Sequence, residues 1–141
     1  MSLPFTTLRS WIGAVAVALV AALAAAAVVH WRRARFRRRA LKELRALESE
    51  YRHSGQQAAL LAGISQLLRR TAMHIAPHQP VAGLYGMAWL LFLDEAGGTD
   101  RFSRGPGRIL LSGPYQPEPG HDVEALVRLV EQWLRTVQVQ R

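Results

Sequence analysis

The sequence predicts an all-α protein, with one N-terminal transmembrane helix followed by a small cytosolic helical domain of four to five helices. Three observations predict it. Residues 12–29 form an 18-residue run with no charged or strongly polar side chain. Seven positive charges then fall within eleven residues, at Arg32, Arg33, Arg35, Arg37, Arg38, Arg39 and Lys42. Beyond that block, apolar residues recur at helical spacing and no segment alternates as a half-buried strand would.

The apolar run is the first element. At about 1.5 Å rise per residue, 18 residues reach about 27 Å, close to the hydrocarbon thickness of a bilayer. Trp11 and Trp31 bracket the run, 20 positions apart, where interfacial anchors belong. Lipid offers no partners to unpaired backbone groups, so the span must be helical. Only Arg9 precedes the run and six arginines follow it. Positive charge beside a span stays in the cytoplasm, which predicts an N-terminus outside and a C-terminus inside. The same asymmetry opposes a cleaved signal peptide, although Ala25 and Ala27 would suit a peptidase. Ala14, Ala18, Ala22 and Ala26 form a small-residue stripe, so a homodimer through the span is a further possibility. The expected organisation is a short extracytoplasmic N-terminus (1–10), a transmembrane helix (11–31), a basic juxtamembrane segment (32–42) and a cytosolic helical domain (43–141).

Charge follows the same division. The 141 residues carry a formal +8, which at face value suggests a nucleic-acid binder. Arg9 contributes one charge and the block seven, while residues 43–141 balance ten Arg against ten Asp and Glu. The basic block therefore reads as a topology signal and a contact for anionic lipid headgroups, and no nucleic acid is expected. The chain has no Cys, which excludes disulfide scaffolds, thiolate metal sites and cysteine nucleophiles.

The helices of the cytosolic part come next. Leu41, Leu44, Leu47 and Tyr51 share a helical face that can continue directly from the span and that Ser54 and Gly55 end. A second helix is expected from Gln56 to Ile75, with Leu60, Leu61, Ile64, Leu67, Leu68, Ala72 and Ile75 inside and Arg69 and Arg70 outside. Pro77 and Pro80 stop it. Met87 to Leu93 is apolar on all sides, as in a short helix buried in the fold or facing a partner, ended by Gly97 and Gly98. Ser103 to Ser112 has room for a short helix with Ile109, Leu110 and Leu111 inward, ended by Gly113 and Pro114. The last helix places Val123, Leu126, Val127, Val130, Trp133, Leu134 and Val137 on one stripe, with Asp122 as its N-cap.

No catalytic constellation emerges, so the expectation is a non-enzyme with no cofactor and no metal. His74 and His78 stand four apart, but Pro77 interrupts the helix between them and no Glu accompanies them. Asp94 and Glu95 follow the apolar helix at its C-terminal end, where negative charge is unfavourable, which suggests an ion pair with an arginine. Gly105-Pro106-Gly107 lacks the Lys-Ser/Thr end of a phosphate loop and reads as a turn. Trp89 and Trp133 lie on apolar stripes and read as core. Tyr115, between Pro114 and Pro117, reads as pinning its loop, and His121 beside Asp122 as part of a helix start.

From Leu84 to Asp94 the chain resembles a bacterial membrane-protein family, domain-of-unknown-function family 4381. The likeness rests on Leu84, Gly86, Trp89-Leu90 and Phe92-Leu93-Asp94. It is extended by Gly105-Pro106-Gly107-Arg108, Gly113-Pro114-Tyr115, the single early span and the arginine run. Members often carry a Pro- and Trp-rich segment before the span, whereas residues 1–10 have one Pro and no Trp. The resemblance implies a bacterial inner-membrane setting. It also implies partners among MoxR-type AAA ATPases and von Willebrand factor A-domain proteins of the aerotolerance (Bat) type, in a chaperone-like assembly. It supplies no catalytic residue. The expected role is a membrane-anchored accessory protein, with the Pro77–Tyr85 connection and the Arg101–Tyr115 loop as candidate contacts. The alternatives are a membrane-tethered nucleic-acid-binding regulator using the Arg32–Arg45 helix, and a hydrolase or metal enzyme using His74, His78 and Asp94.

Overall fold

Strong helix formers fill the chain after Gly13, and neither Gly nor Pro appears again until Gly55. In the computed structural model, which describes residues 5–112 and 122–137, that stretch is part of one helix, α1 (Phe5–Ser54). The apolar run, the arginine block and the Leu41–Tyr51 face thus share one element, and residues 5–10 are helical with them. Gly55 ends it at φ 67°, with its N–H donating to the Tyr51 carbonyl (2.8 Å).

The described residues comprise six α-helices and two 3-10 turns, with no strand among them. After α1 come α2 (Gln57–Ile75), α3 (Gly86–Gly97), α4 (Arg101–Arg104), α5 (Ile109–Ser112) and α6 (Val123–Thr136). The 3-10 turns are Val81–Gly83 and Pro106–Arg108. The fold is all-α, as the sequence predicts.

The chain divides into two compact units, Met1–Phe36 and Arg37–Arg141. In the first, every described residue from Thr6 to Arg33 is exposed. Its apolar run belongs to the one helix, among the described residues, that is long and apolar enough to cross a membrane. The second unit holds the core. Ala40 and Leu44 of α1 are buried with Leu60, Ile64 and Leu68 of α2, Leu90 and Leu93 of α3, and Leu126, Val130 and Trp133 of α6. All seven stripe positions expected for α6 are buried, together with Leu129. Asp122 caps that helix, its Oδ1 accepting from the Ala125 N–H at 2.9 Å.

Three expectations need correction. Arg69 does not lie on the outer side of α2: its guanidinium folds back over the Trp89 ring, 4.4 Å from the centroid. Arg70 does lie outside, paired with Glu43. In place of the single short helix expected within Ser103–Ser112, in the Arg101–Tyr115 loop, residues 101–112 form two one-turn helices separated by a 3-10 turn, because Pro106 cannot donate within a continuing helix. Ile109 is buried there and Leu110 partly so, whereas Leu111 is exposed. The third concerns the apolar run Met87–Leu93 of α3: of the two expectations, buried or facing a partner, full burial fails, since Met87, Ala88 and Leu91 are exposed.

Candidate functional site

Two faces of α3 have different roles. The inward face is the Trp89-Leu90 and Phe92-Leu93-Asp94 motif, all five buried. Trp89 stacks on Phe92, with ring centroids 5.9 Å apart. Arg69 lies over the Trp89 ring, and its Nη1 donates to the carbonyls of Leu84 (2.9 Å) and Val81 (3.2 Å). One guanidinium thereby ties α2, α3 and the Pro77–Tyr85 connection together. Arg69→Ala should lower the unfolding free energy by about 1.5–2 kcal/mol, from lost carbonyl bonds and lost cover of Trp89. Arg69→Lys should recover less than half, because an ammonium cannot stack and fork at once. Guanidinium titration of the detergent-solubilised chain, followed by Trp fluorescence, checks both.

Asp94 is the one buried carboxylate among the described residues, at 7% exposure. Its Oδ1 accepts from the Phe102 N–H (2.8 Å) and its Oδ2 from the Ser103 N–H (3.1 Å). These donors belong to the first turn of α4, where helical N–H groups have no intrahelical partner. The expected ion pair with an arginine is therefore replaced by a cap from a neighbouring helix. Gly98 closes α3 at φ 62°, and the Thr99 N–H donates to the Asp94 carbonyl at 3.0 Å.

Close approach explains two of the glycines. A Cβ at Gly97 would meet the Trp133 indole, and one at Gly107 would meet the backbone of Phe102. Gly105-Pro106-Gly107 is thus a packing turn against α4, and Trp133 is core as expected.

The outward face of α3 is apolar and free. Tyr85 is 83% exposed, Leu91 54% and Met87 41%, with exposed Ala88 between them and exposed Glu95 one turn beyond Leu91. Tyr and Met are enriched at protein contacts, and here Tyr85 at the start of α3 and Met87 on it stand exposed beside Leu91.

The residues expected as membrane anchors and lipid contacts fall on α1. Trp11 and Trp31 are both exposed. Arg32, Arg33 and Arg35 lie in the first unit, and Arg37, Arg38, Arg39 and Lys42 in the second. All seven are exposed, and none joins an ion pair among the described residues. By contrast Arg52, Arg70, Arg128 and Arg135 of the second unit do reach carboxylates.

The remaining candidates do not converge. His74 sits in α2, but His78 lies past its end, so the shared helical face is absent. No group of three His, Cys, Asp or Glu side chains suited to a metal occurs among the described residues. Gly113, Pro114, Tyr115 and His121 lie outside the described residues. Sequence reasoning missed Arg69 and the division of α3 into two faces. The unbroken apolar run at Met87–Leu93 was the only signal for the second.

Among known families, the model for a domain of unknown function (DUF4381) matches residues 2–136. No curated protein and no solved structure matches the chain.

Proposed function

The chain belongs to the DUF4381 family, and from the free apolar face of α3 we propose that it is a non-catalytic accessory protein of an inner-membrane assembly. In this reading α1 anchors it with the N-terminus outside, and the helical body docks a partner in the cytoplasm. A MoxR-type AAA ATPase or a von Willebrand A-domain protein of the Bat type fits best, because the family resemblance implies those neighbours. The observation that carries the reading is the pairing of Tyr85, Met87 and Leu91 on the surface with a buried motif whose carboxylate, Asp94, caps a neighbouring helix. The charge asymmetry about the apolar run supports the orientation.

Co-purification of the full chain from solubilised, cross-linked membranes tests it. The wild type should bring down an AAA ATPase or an A-domain protein. Met87→Asp combined with Leu91→Asp should lose that partner at least tenfold while shifting stability by no more than about 0.5 kcal/mol, as surface changes do. Recovery of neither partner class with the wild type, or equal recovery with the double variant, would contradict the reading.

A further inference from the structure

The end of the apolar run in the first unit carries a compact cationic feature. Arg35 lays its guanidinium over the Trp31 indole, 5.1 Å from the ring centroid. Arg32 stands three residues before Arg35, hence one turn away on the same side of the helix. All three side chains are exposed, and neither arginine joins an ion pair among the described residues. No acidic residue precedes Glu43 in the sequence, and Glu43 is taken by Arg70. Among the described residues, no carboxylate compensates the charge of the two arginines.

A guanidinium held over an indole ring is positioned by that contact and still has N–H donors to offer a ligand. Those donors match two oxygens of a phosphate, and a second arginine one turn away can reach the same group. Val28 and Val29, separated from Trp31 by His30, are exposed and apolar, so a ligand here meets apolar side chains towards the run and positive charge beyond it. Both features together describe a phospholipid whose headgroup carries net negative charge. A zwitterionic headgroup would bring its own cation against Arg32 and Arg35.

We propose that Trp31, Arg32 and Arg35 form a binding site for the phosphate of an anionic phospholipid such as phosphatidylglycerol. The site rests on the reading of α1 as a membrane anchor. It differs from general attraction by a basic surface, because the stack fixes the geometry of one arginine.

Reconstitution of the full chain in nanodiscs with equal phosphatidylglycerol and phosphatidylcholine, re-extraction in mild detergent and mass spectrometry of retained lipid test it. The wild type should retain phosphatidylglycerol over phosphatidylcholine by about fivefold, equivalent to roughly 1 kcal/mol. Trp31→Leu, which leaves the charge unchanged, should bring the ratio near one. Arg32→Gln with Arg35→Gln should do the same. Arg104→Gln with Arg108→Gln, exposed and outside the basic block, removes equal charge and should leave most of the preference. Equal retention of both lipids by the wild type would overturn the site. So would equal losses in the two arginine double variants, an unaffected Trp31→Leu, or release of the lipid by excess inorganic phosphate. Cell fractionation separates this failure from that of the anchor: a chain in membranes with no lipid preference loses only the site, and a chain in the soluble fraction loses both.

Discussion

Trp133→Ala should lower the unfolding free energy of the helical body by about 4 kcal/mol. Trp133 is only 1% exposed and is the largest fully buried side chain among the described residues. Three interactions converge on it. Its Nε1–H donates to the Leu93 carbonyl at 2.8 Å. Its ring meets Phe102 edge-on, with centroids 6.3 Å apart and planes at 78°. Gly97 packs so closely that any side chain there would strike the indole. Truncation removes the bond, the aromatic contact and the volume at once, leaving a cavity where α3, α4 and α6 meet. Trp133→Phe keeps part of the volume and should cost about 2 kcal/mol. Domains of this size have total stabilities of about 5–15 kcal/mol, so the alanine variant should be degraded in cells. Guanidinium unfolding of the solubilised chain, with Trp89 fluorescence as the probe, measures it. A shift below about 1 kcal/mol would contradict the placement of Trp133 at the centre of the body.

Asp94→Ala should cost about 3 kcal/mol for a different reason. The substitution leaves little empty volume, but it strands the Phe102 and Ser103 N–H groups, which now donate to a carboxylate. Bonds to a charged acceptor are worth about 1.5–3 kcal/mol each, and a stranded buried donor costs its full desolvation. A four-residue helix cannot hold its first turn without such a partner. Asp94→Asn keeps one acceptor oxygen and should cost about half as much. Hydrogen exchange reads the effect directly: the Phe102 and Ser103 amides should lose protection in the alanine variant, while those within α6 follow only the global change. Unchanged stability and protection would remove the capping role and reopen Asp94 as a chemical candidate.

The parts of the fold that were legible follow strong periodicity. The α6 stripe and its Asp122 cap could be read residue by residue, because a polar face opposite the stripe fixes which side turns inward. The continuity of α1 followed from the absence of any Gly or Pro between Gly13 and Gly55. At α3 the same reasoning failed, because Met87 to Leu93 contains no polar residue and periodicity cannot orient a helix that is apolar all round. The inward choice is made by distant partners, Arg69 on Trp89 and Trp133 on the Leu93 carbonyl. Asp94 misled in the same way. Its position at a helix C-terminus signalled a nearby donor, but a one-turn helix eight residues later supplies backbone N–H groups that leave no trace in side-chain composition. The family motif was recognisable as a pattern, yet its division into an internal brace and an outward surface is tertiary information.

The central claim is that the outward face of α3 meets a partner while the motif beneath it only supports that face. A photo-cross-linking amino acid placed at position 91 in the full chain, activated in intact cells and followed by mass spectrometry of the adduct, tests this most directly. The account predicts one dominant protein adduct, on an AAA ATPase or a von Willebrand A-domain protein, and no such adduct from the buried neighbouring position 90. Absence of any adduct of either class from position 91, in cells where the chain is expressed and membrane-bound, would contradict it.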